Sequence, residues 1–112
     1  MNKKNARAVS AARNITRLRV AIDRLNRRIL DLLKQRSGLA CRIGEAKRAL
    51  RLPVSDPARE RAILTALAAQ ARAPFDARGS RAVFSAIIRE TKRIERGHVR
   101  EQNAAPGQTH HR

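Results

Sequence analysis

Residues 15–50, ITRLRVAIDRLNRRILDLLKQRSGLACRIGEAKRAL, decide the fold, because their apolar side chains recur at alternating steps of three and four. This spacing places them along one stripe of an α-helix and is typical of a heptad seam. The seam consists of Ile15, Leu18, Ile22, Leu25, Ile29, Leu32, Leu39, Ile43, Ala46 and Leu50, with position 36 filling the one gap. Such a helix would be about 54 Å long, too long for the core of so small a globule. The seam therefore predicts pairing along its length with a second copy of the chain.

Two breaks in the sequence separate the later helices from the first. Pro53 ends the first helix, and Pro57 suits the first turn of the next one, with Asp56 as its N-cap. Asp76 is the expected N-cap of a third helix, after a second proline-containing break. Large β architectures are disfavoured, because strand-forming aromatic residues are almost absent and alanine is abundant.

These signals predict an all-α fold with three helices per chain, a long first helix and an intertwined homodimeric bundle. The predicted helices cover residues 15–50, about 57–72 and about 77–96. The second helix should bury one face made of Ile63, Leu64, Leu67, Ala68 and Ala71. The predicted organisation is a basic N-terminal extension over 1–14, a helical domain over 15–96 and a disordered C-terminal tail over 97–112, whose three histidines should be solvated.

The composition is strongly basic, with 26 Lys+Arg against 9 Asp+Glu and a formal net charge of +17. Such a surplus predicts an anionic partner, and nucleic acid is one candidate. Aromatic residues that would stack on single-stranded bases are nearly absent, since only two Phe are present. A single Cys excludes an internal disulfide and a Cys-based zinc site. No apolar run predicts a membrane span or a secretory signal, so we expect no membrane partner and a cytoplasmic protein.

Two cations interrupt the apolar seam of the first helix. Arg36 occupies a seam position between Leu32 and Leu39, and Lys47 follows eleven residues later. At about 100° per residue, Lys47 lies within about 20° of the direction of Arg36. A buried cation without a partner costs several kcal/mol, so the pair indicates a bound anion. The alternative is that one or both side chains extend along the seam into solvent.

Polar residues also end the apolar stripe of the third helix. Phe84, Ile88, Thr91 and Glu95 fall within an arc of about 60°, so a hydroxyl and a carboxyl continue the core face. The alternative for Glu95 is a solvated position near the helix end. At the start of the second helix, N-capping explains Asp56. It does not explain the nearby Arg59 and Glu60, whose alternative role is ordinary surface charge.

Three segments together resemble the all-helical chorismate mutase family. They are LRVAIDRLNRRILDLLKQRSGLACRIGEAK, LPVSDPARE and VFSAIIRETKRIE, within residues 15–96. Each segment alone is only a weak match to the family, but the order and spacing of the three together are fairly specific to it. The resemblance implies substrate-binding roles for Arg19, Arg36, Lys47, Asp56, Arg59, Glu60, Thr91 and Glu95, with Lys47, Glu95 and Arg36 as catalytic residues.

The resemblance further implies that Arg19 acts in the site of the partner subunit. Geometry agrees, because Arg19 lies 17 residues before Arg36 in the sequence. That spacing is about 25 Å along one helix, too far for both to bind one small ligand within a single chain.

The activity that the resemblance implies is the Claisen rearrangement of chorismate to prephenate, an isomerase reaction of aromatic amino acid biosynthesis. It requires no cofactor and no metal, and its dianionic substrate suits arginine clamps. One alternative is an isochorismate pyruvate-lyase of the same fold, disfavoured because that branch tends to lack the acid that Asp56 provides. The less favoured alternative is a basic helical nucleic-acid-binding protein, in which Arg36 and Lys47 would be dispensable.

Overall fold

The computed structural model describes the backbone of residues 2–109 and the side chains of residues 2–98, 100 and 101. It contains three α-helices, α1 (Lys3–Ala49), α2 (Pro57–Gln70) and α3 (Ala77–Thr109). The predicted all-α class with a long first helix is therefore confirmed, and the described residues include no named strand. None of the described helices has the length and apolar content that crossing a bilayer requires.

The basic N-terminal extension is helical and continuous with the predicted first helix. The side chain of Asn2 accepts a hydrogen bond from the Asn5 amide at 2.9 Å, which makes Asn2 the N-cap of α1. Residues 3–14 then add about three turns before the predicted start at residue 15. The apolar seam could not predict that α1 begins at Lys3, because the first seam residue is Ile15.

The C-terminus of α1 is closed by two backbone hydrogen bonds of the Schellman type. The Leu52 amide donates to the Lys47 carbonyl at 2.8 Å, and the Arg51 amide donates to the Arg48 carbonyl at 3.1 Å. Arg51 adopts φ 58°, the left-handed conformation that this motif requires. The helix ends at Ala49, one residue before the predicted end, and the chain reverses towards Pro53.

Both predicted aspartate caps are confirmed. Asp56 accepts from the Arg59 amide at 3.1 Å and fixes the start of α2. Asp76 accepts from the Gly79 amide at 3.0 Å and fixes the start of α3. Each cap satisfies an amide that the first helical turn leaves without a backbone partner. The second helix ends at Gln70, two residues before the predicted end.

The chain divides into two compact units, Met1–Arg36 and Ser37–Arg112. In the first unit the large apolar side chains of the seam are all exposed. In the second unit α2 packs against α3, and the predicted apolar face of α2 is half-buried, in agreement with the sequence. The most deeply buried side chains of this unit include Ala40, Ser80, Ile88 and Glu95.

The third helix differs from its predicted end at residue 96, because it continues to Thr109. The backbone of the described residues 97–109 is helical, and the disordered tail over 97–112 stays a prediction. The imidazole of His98 lies 2.6 Å from a carboxylate oxygen of Glu45 on α1, so the first turn beyond residue 96 has a tertiary contact. His98 is therefore half-buried rather than solvated, whereas His110 and His111 lie outside the described residues.

Candidate functional site

An ion pair between α1 and α3 forms the centre of the candidate site. The Lys47 ammonium lies 3.8 Å from Oε2 of Glu95, and both side chains are largely buried, at 21% and 6% exposure. The ammonium also donates a hydrogen bond to the Val54 carbonyl at 2.8 Å. This bond holds Lys47 against the segment that follows α1. An ammonium has three donors, so among the described residues this bond leaves Lys47 with capacity to bind a ligand.

Glu95 presents a buried oxygen that lacks a hydrogen-bond partner among the described residues, Oε2. The separation of 3.8 Å from Lys47 is an ion-pair distance rather than a hydrogen bond. An unsatisfied buried polar atom costs about 1–3 kcal/mol, so its retention favours a role in ligand contact. The burial of Glu95 at 5% exposure also rules out the solvated helix end that the sequence left open.

Gly44 allows Glu95 to approach α1. A Cβ at this buried position would lie 3.3 Å from Oε2 and 3.5 Å from Cγ of Glu95. Both distances are at or inside ordinary van der Waals contact, so any larger residue would have to displace the glutamate. The GEAK segment thus contributes a gap for Glu95 as well as the cation beside it.

A second ion pair joins α2 to α3. Both carboxylate oxygens of Glu60 lie 3.3 Å from the Lys92 ammonium, and Oε2 accepts a long hydrogen bond from the Ser55 hydroxyl at 3.5 Å. Both charged side chains are about three-quarters buried, with 23% and 24% exposure. The pair therefore orients Glu60 rather than leaving it as the ordinary surface charge that the sequence admitted as an alternative.

The other predicted site residues of this unit lie close in sequence to the residues of the two ion pairs, but they differ in how deeply their side chains are buried. Thr91 is half-buried one turn before Glu95, and its hydroxyl donates to the Ile87 carbonyl at 2.8 Å. A hydroxyl that donates to its own helix still has lone pairs that can accept from a ligand. Asp56 and Arg59 are exposed, and the side chain of Asp56 is engaged as the α2 cap.

Arg19 and Arg36 belong to the N-terminal unit and are described within it. Arg19 is exposed on α1. Arg36 is half-buried and takes part in an interaction within the chain. The structure thus brings together Lys47 and Glu95 directly, and Glu60 with Lys92 and Ser55. The two arginines lie on α1 in the other unit.

Three residues of the site were not predicted from the sequence. Lys92 looked like one of many surface cations, because its place beside Thr91 follows no apolar period. Ser55 lies in a loop, and Gly44 reads as a helix-weakening residue until its neighbour is known. A glycine inside a strongly periodic helix is the one signal that could have indicated a close approach.

The carboxylates around Cys41 on α1, which include Glu95, make the local field at this thiol negative. Burial, together with the carboxylates of Glu45, Glu95 and Glu101, raises the pKa of the Cys41 thiol. The cysteine is therefore held as a neutral thiol, whereas the site itself supplies a cation and a carboxyl. Lys47 and Glu95 together can bind an anionic ligand and donate hydrogen bonds to an oxygen that gains negative charge.

The comparisons with known proteins agree on one family. The family model described as chorismate mutase type II matches residues 18–96, most of the chain. A solved structure of chorismate mutase (form II) from Thermus thermophilus is 37% identical, with a TM-score of 0.72. That alignment covers 74% of this chain and 94% of the Thermus chain.

A second structure, chorismate mutase (form I) from the same organism, is 38% identical with a TM-score of 0.67. It covers 70% of this chain and 98% of its own. The search of curated protein sequences gives no significant match. The two structural alignments cover 74% and 70% of this chain, and the family match begins only at residue 18.

Proposed function

The chain belongs to the chorismate mutase type II family, and from this premise we propose that it rearranges chorismate to prephenate at a site centred on Lys47 and Glu95. The observation that carries the proposal is the buried pair of these residues, 3.8 Å apart, with Oε2 of Glu95 lacking a hydrogen-bond partner among the described residues. A family match without such a pair would support the fold alone.

Lys47 and Glu95 stabilise the charge that develops in the reaction. As the carbon–oxygen bond of chorismate breaks, negative charge grows on the ether oxygen. The Lys47 ammonium donates a hydrogen bond to that oxygen, and Glu95 can donate a second one only in its acid form; burial holds both side chains in place. The hydrogen bond from Lys47 to Val54 holds the cation in place before the substrate arrives.

Arginines bind the two carboxylates of the substrate. Arg36 binds one of them, and Arg19 from the partner subunit binds the other, because guanidinium groups are bidentate ligands of carboxylates. Arg59 adds positive charge at the start of α2. Holding both carboxylates selects the compact conformer in which the reacting carbons are adjacent, so catalysis is mainly orientation and electrostatics.

Glu60 binds the ring hydroxyl together with the backbone near Asp56, while Thr91 contributes a hydroxyl contact. The ion pair of Glu60 with Lys92 supports this role, because it fixes the carboxylate without removing all its acceptor capacity. The site needs no cofactor and no metal for a concerted rearrangement. We therefore propose that Glu60, Asp56 and Thr91 bind the substrate and take no part in bond making or breaking.

The homodimer is part of this proposal. The exposed seam of α1 supports it, because an apolar stripe of this length is expected to pair with a second copy. The shared Arg19 makes each site dependent on both subunits. A cytoplasmic location and a role in aromatic amino acid supply are also proposals, which follow from the family rather than from any contact in the structure.

The first test measures substrate loss by absorbance with chorismate and, separately, with isochorismate, and identifies each product. We expect prephenate from chorismate and no pyruvate from isochorismate. Release of pyruvate as the main reaction would favour the lyase of the same fold. No reaction with either substrate, in a protein whose helical content is intact, would contradict the proposed function.

The second test mixes two inactive variants, Arg19→Ala and Arg36→Ala. A heterodimer keeps one site with both arginines and one with neither, so mixing should restore about a quarter to half of the activity in proportion to the heterodimer formed. Each variant alone is the control. Verified heterodimers without activity would show that Arg19 is not shared between subunits.

A further inference from the structure

The N-terminal part of α1 carries more positive charge than a small dianionic substrate requires. Residues 1–28 contain nine basic side chains and one acidic one, Asp23. Residues 3–17 also precede the family match, which starts at residue 18. The charge of residues 3–17 is therefore not explained by the features that define the family, whereas Arg24 and Arg28 lie within the matched residues.

Four of these arginines form a stripe, which consists of Arg13, Arg17, Arg24 and Arg28. At about 100° per residue they fall within an arc of about 60°, and they extend over about 22 Å of helix. All four are exposed. The stripe points about 110° away from the middle of the apolar seam, so pairing through the seam would leave it accessible.

We propose that this arginine stripe binds the phosphate backbone of duplex DNA, a function beyond the proposed enzymatic one. Arginine binds phosphate oxygens in a bidentate manner, and 21 of the 26 cations in the chain are arginines. A row of guanidinium groups along a formed helix matches a regular array of phosphates better than it matches a compact anion.

The same features favour duplex DNA over other polyanions. A single strand would need aromatic stacking platforms, and the described part of α1 has none. The major groove of B-DNA admits an α-helix, whereas the major groove of A-form RNA is deep and narrow. An anionic membrane would need the apolar face of the helix, which the seam reserves for the second copy.

The test measures binding of the full-length protein to a labelled duplex of about two helical turns by fluorescence anisotropy, at several salt concentrations. The stripe variant carries R13Q, R17Q, R24Q and R28Q. Its matched control carries R61Q, R78Q, R81Q and R89Q, four exposed arginines outside α1, and has the same net charge. Circular dichroism and chorismate turnover confirm that both variants are folded, since none of these residues belongs to the proposed site.

We expect the four contacts of the stripe to give a salt slope of about −3.6 and about a 10²-fold loss of affinity between about 50 and 200 mM salt. The stripe variant should lose that salt dependence and most of the affinity, whereas the control variant should change about threefold or less. Equal losses in both variants would overturn the proposal, because binding would then follow net charge alone.

Two further arms separate the proposed ligand from other polyanions. Duplex RNA of the same sequence and vesicles containing phosphatidylglycerol replace the DNA, each with the same three proteins. Weaker binding to both supports the proposal. Stripe-dependent binding that is equal or tighter with either one, or wild-type protein that fails to bind DNA at low salt, would overturn it.

Discussion

The two units of the chain bury their side chains very differently. In Met1–Arg36, nine large apolar residues are between 40% and 61% exposed. In Ser37–Arg112, Ser80 and Glu95, both polar, are more deeply buried than any apolar side chain described. The first unit thus has an exposed apolar surface, and the second buries polar side chains among its own residues.

This contrast separates the two requirements for activity. The second unit already holds Lys47, Glu95 and Glu60 in fixed ion pairs, so its part of the site exists within one chain. The first unit supplies Arg19 and Arg36 on a helix whose seam is exposed. In the proposed enzyme, Arg19 therefore comes from a second copy, whereas Arg36 and the charge-stabilising pair come from one chain.

The largest expected effect comes from placing a charge in the seam. Leu25→Asp puts a carboxylate where two seams would meet, and a buried unpaired charge costs several kcal/mol. We expect a monomer by light scattering and loss of nearly all activity, since each site needs both subunits.

Leu30→Asp is the matched control, because Leu30 is similarly exposed, at 57% against 50% for Leu25. It lies about 120° away from the middle of the seam. We expect this variant to remain a dimer and to keep its activity. If both variants dimerise normally, the seam is not the interface and the contrast between the units has another cause.

The second prediction concerns Glu95 in the assembled unit. Glu95→Ala should lower kcat about 10²–10³-fold, the usual cost of removing one hydrogen-bond donor from a developing oxyanion. Glu95→Gln keeps an N–H donor at this position, so it should retain most of the activity that Glu95→Ala loses. The measurement is kcat for all three proteins under the same conditions.

Glu90→Gln is the control, because Glu90 lies on the exposed face of α3 and pairs there with Arg93. We expect no change in kcat from this substitution. If Glu95→Gln loses as much activity as Glu95→Ala, Glu95 does not act through a hydrogen bond to the ether oxygen.

The sequence predicted the parts of the molecule that follow short-range rules. The caps Asp56 and Asp76 and the break near Pro53 depend on local backbone chemistry, so they were recovered within two residues. The polar positions Lys47 and Glu95 were found because they interrupt an apolar period. In the structure the Lys47 ammonium and Oε2 of Glu95 lie 3.8 Å apart.

Other features depend on which helices meet, and a periodic pattern does not contain that information. Lys92 became visible only when α3 was placed beside Glu60 on α2. No apolar stripe in the sequence predicts that α3 continues past residue 96, although His98 contacts Glu45 there. In both cases a polar contact between helices replaces the apolar spacing on which the prediction relied.

The third prediction tests the space at Gly44. A methyl group at this position would lie 3.3 Å from Oε2 of Glu95 and displace the carboxylate by a few tenths of an ångström. A misplacement of about 1 Å costs about 10²-fold in rate, so we expect Gly44→Ala to lower kcat about tenfold. Adding Glu95→Asp shortens the side chain and should cost less in the Gly44→Ala background than in the wild type.

Gly38→Ala is the matched control, because a Cβ there meets no other atom within 4 Å. It should raise the free energy of unfolding by about 1 kcal/mol through helix propensity and leave kcat unchanged. Additive losses in the Gly44→Ala, Glu95→Asp double variant would show that Gly44 does not act by positioning Glu95.

The smallest expected effect concerns Cys41, the thiol that lies among the carboxylates of the second unit. Burial and the charges of Glu45, Glu95 and Glu101 raise its pKa, so at neutral pH less thiolate is present than in an ordinary cysteine. Iodoacetamide should therefore modify Cys41 more slowly than the same residue in the urea-unfolded chain, and the rate should rise with pH beyond the range where the unfolded chain levels off. Glu45→Gln removes one negative charge, lowers the pKa and should speed the reaction a fewfold at pH near 8. Mass spectrometry of quenched samples gives both rates.

Glu90→Gln is the control for this prediction, because the Glu90 carboxylate lies on the outer face of α3. It should leave the rate of Cys41 modification unchanged. If Glu45→Gln also leaves it unchanged, burial alone controls the thiol, and the negative field assigned to this side of α1 is too weak to matter.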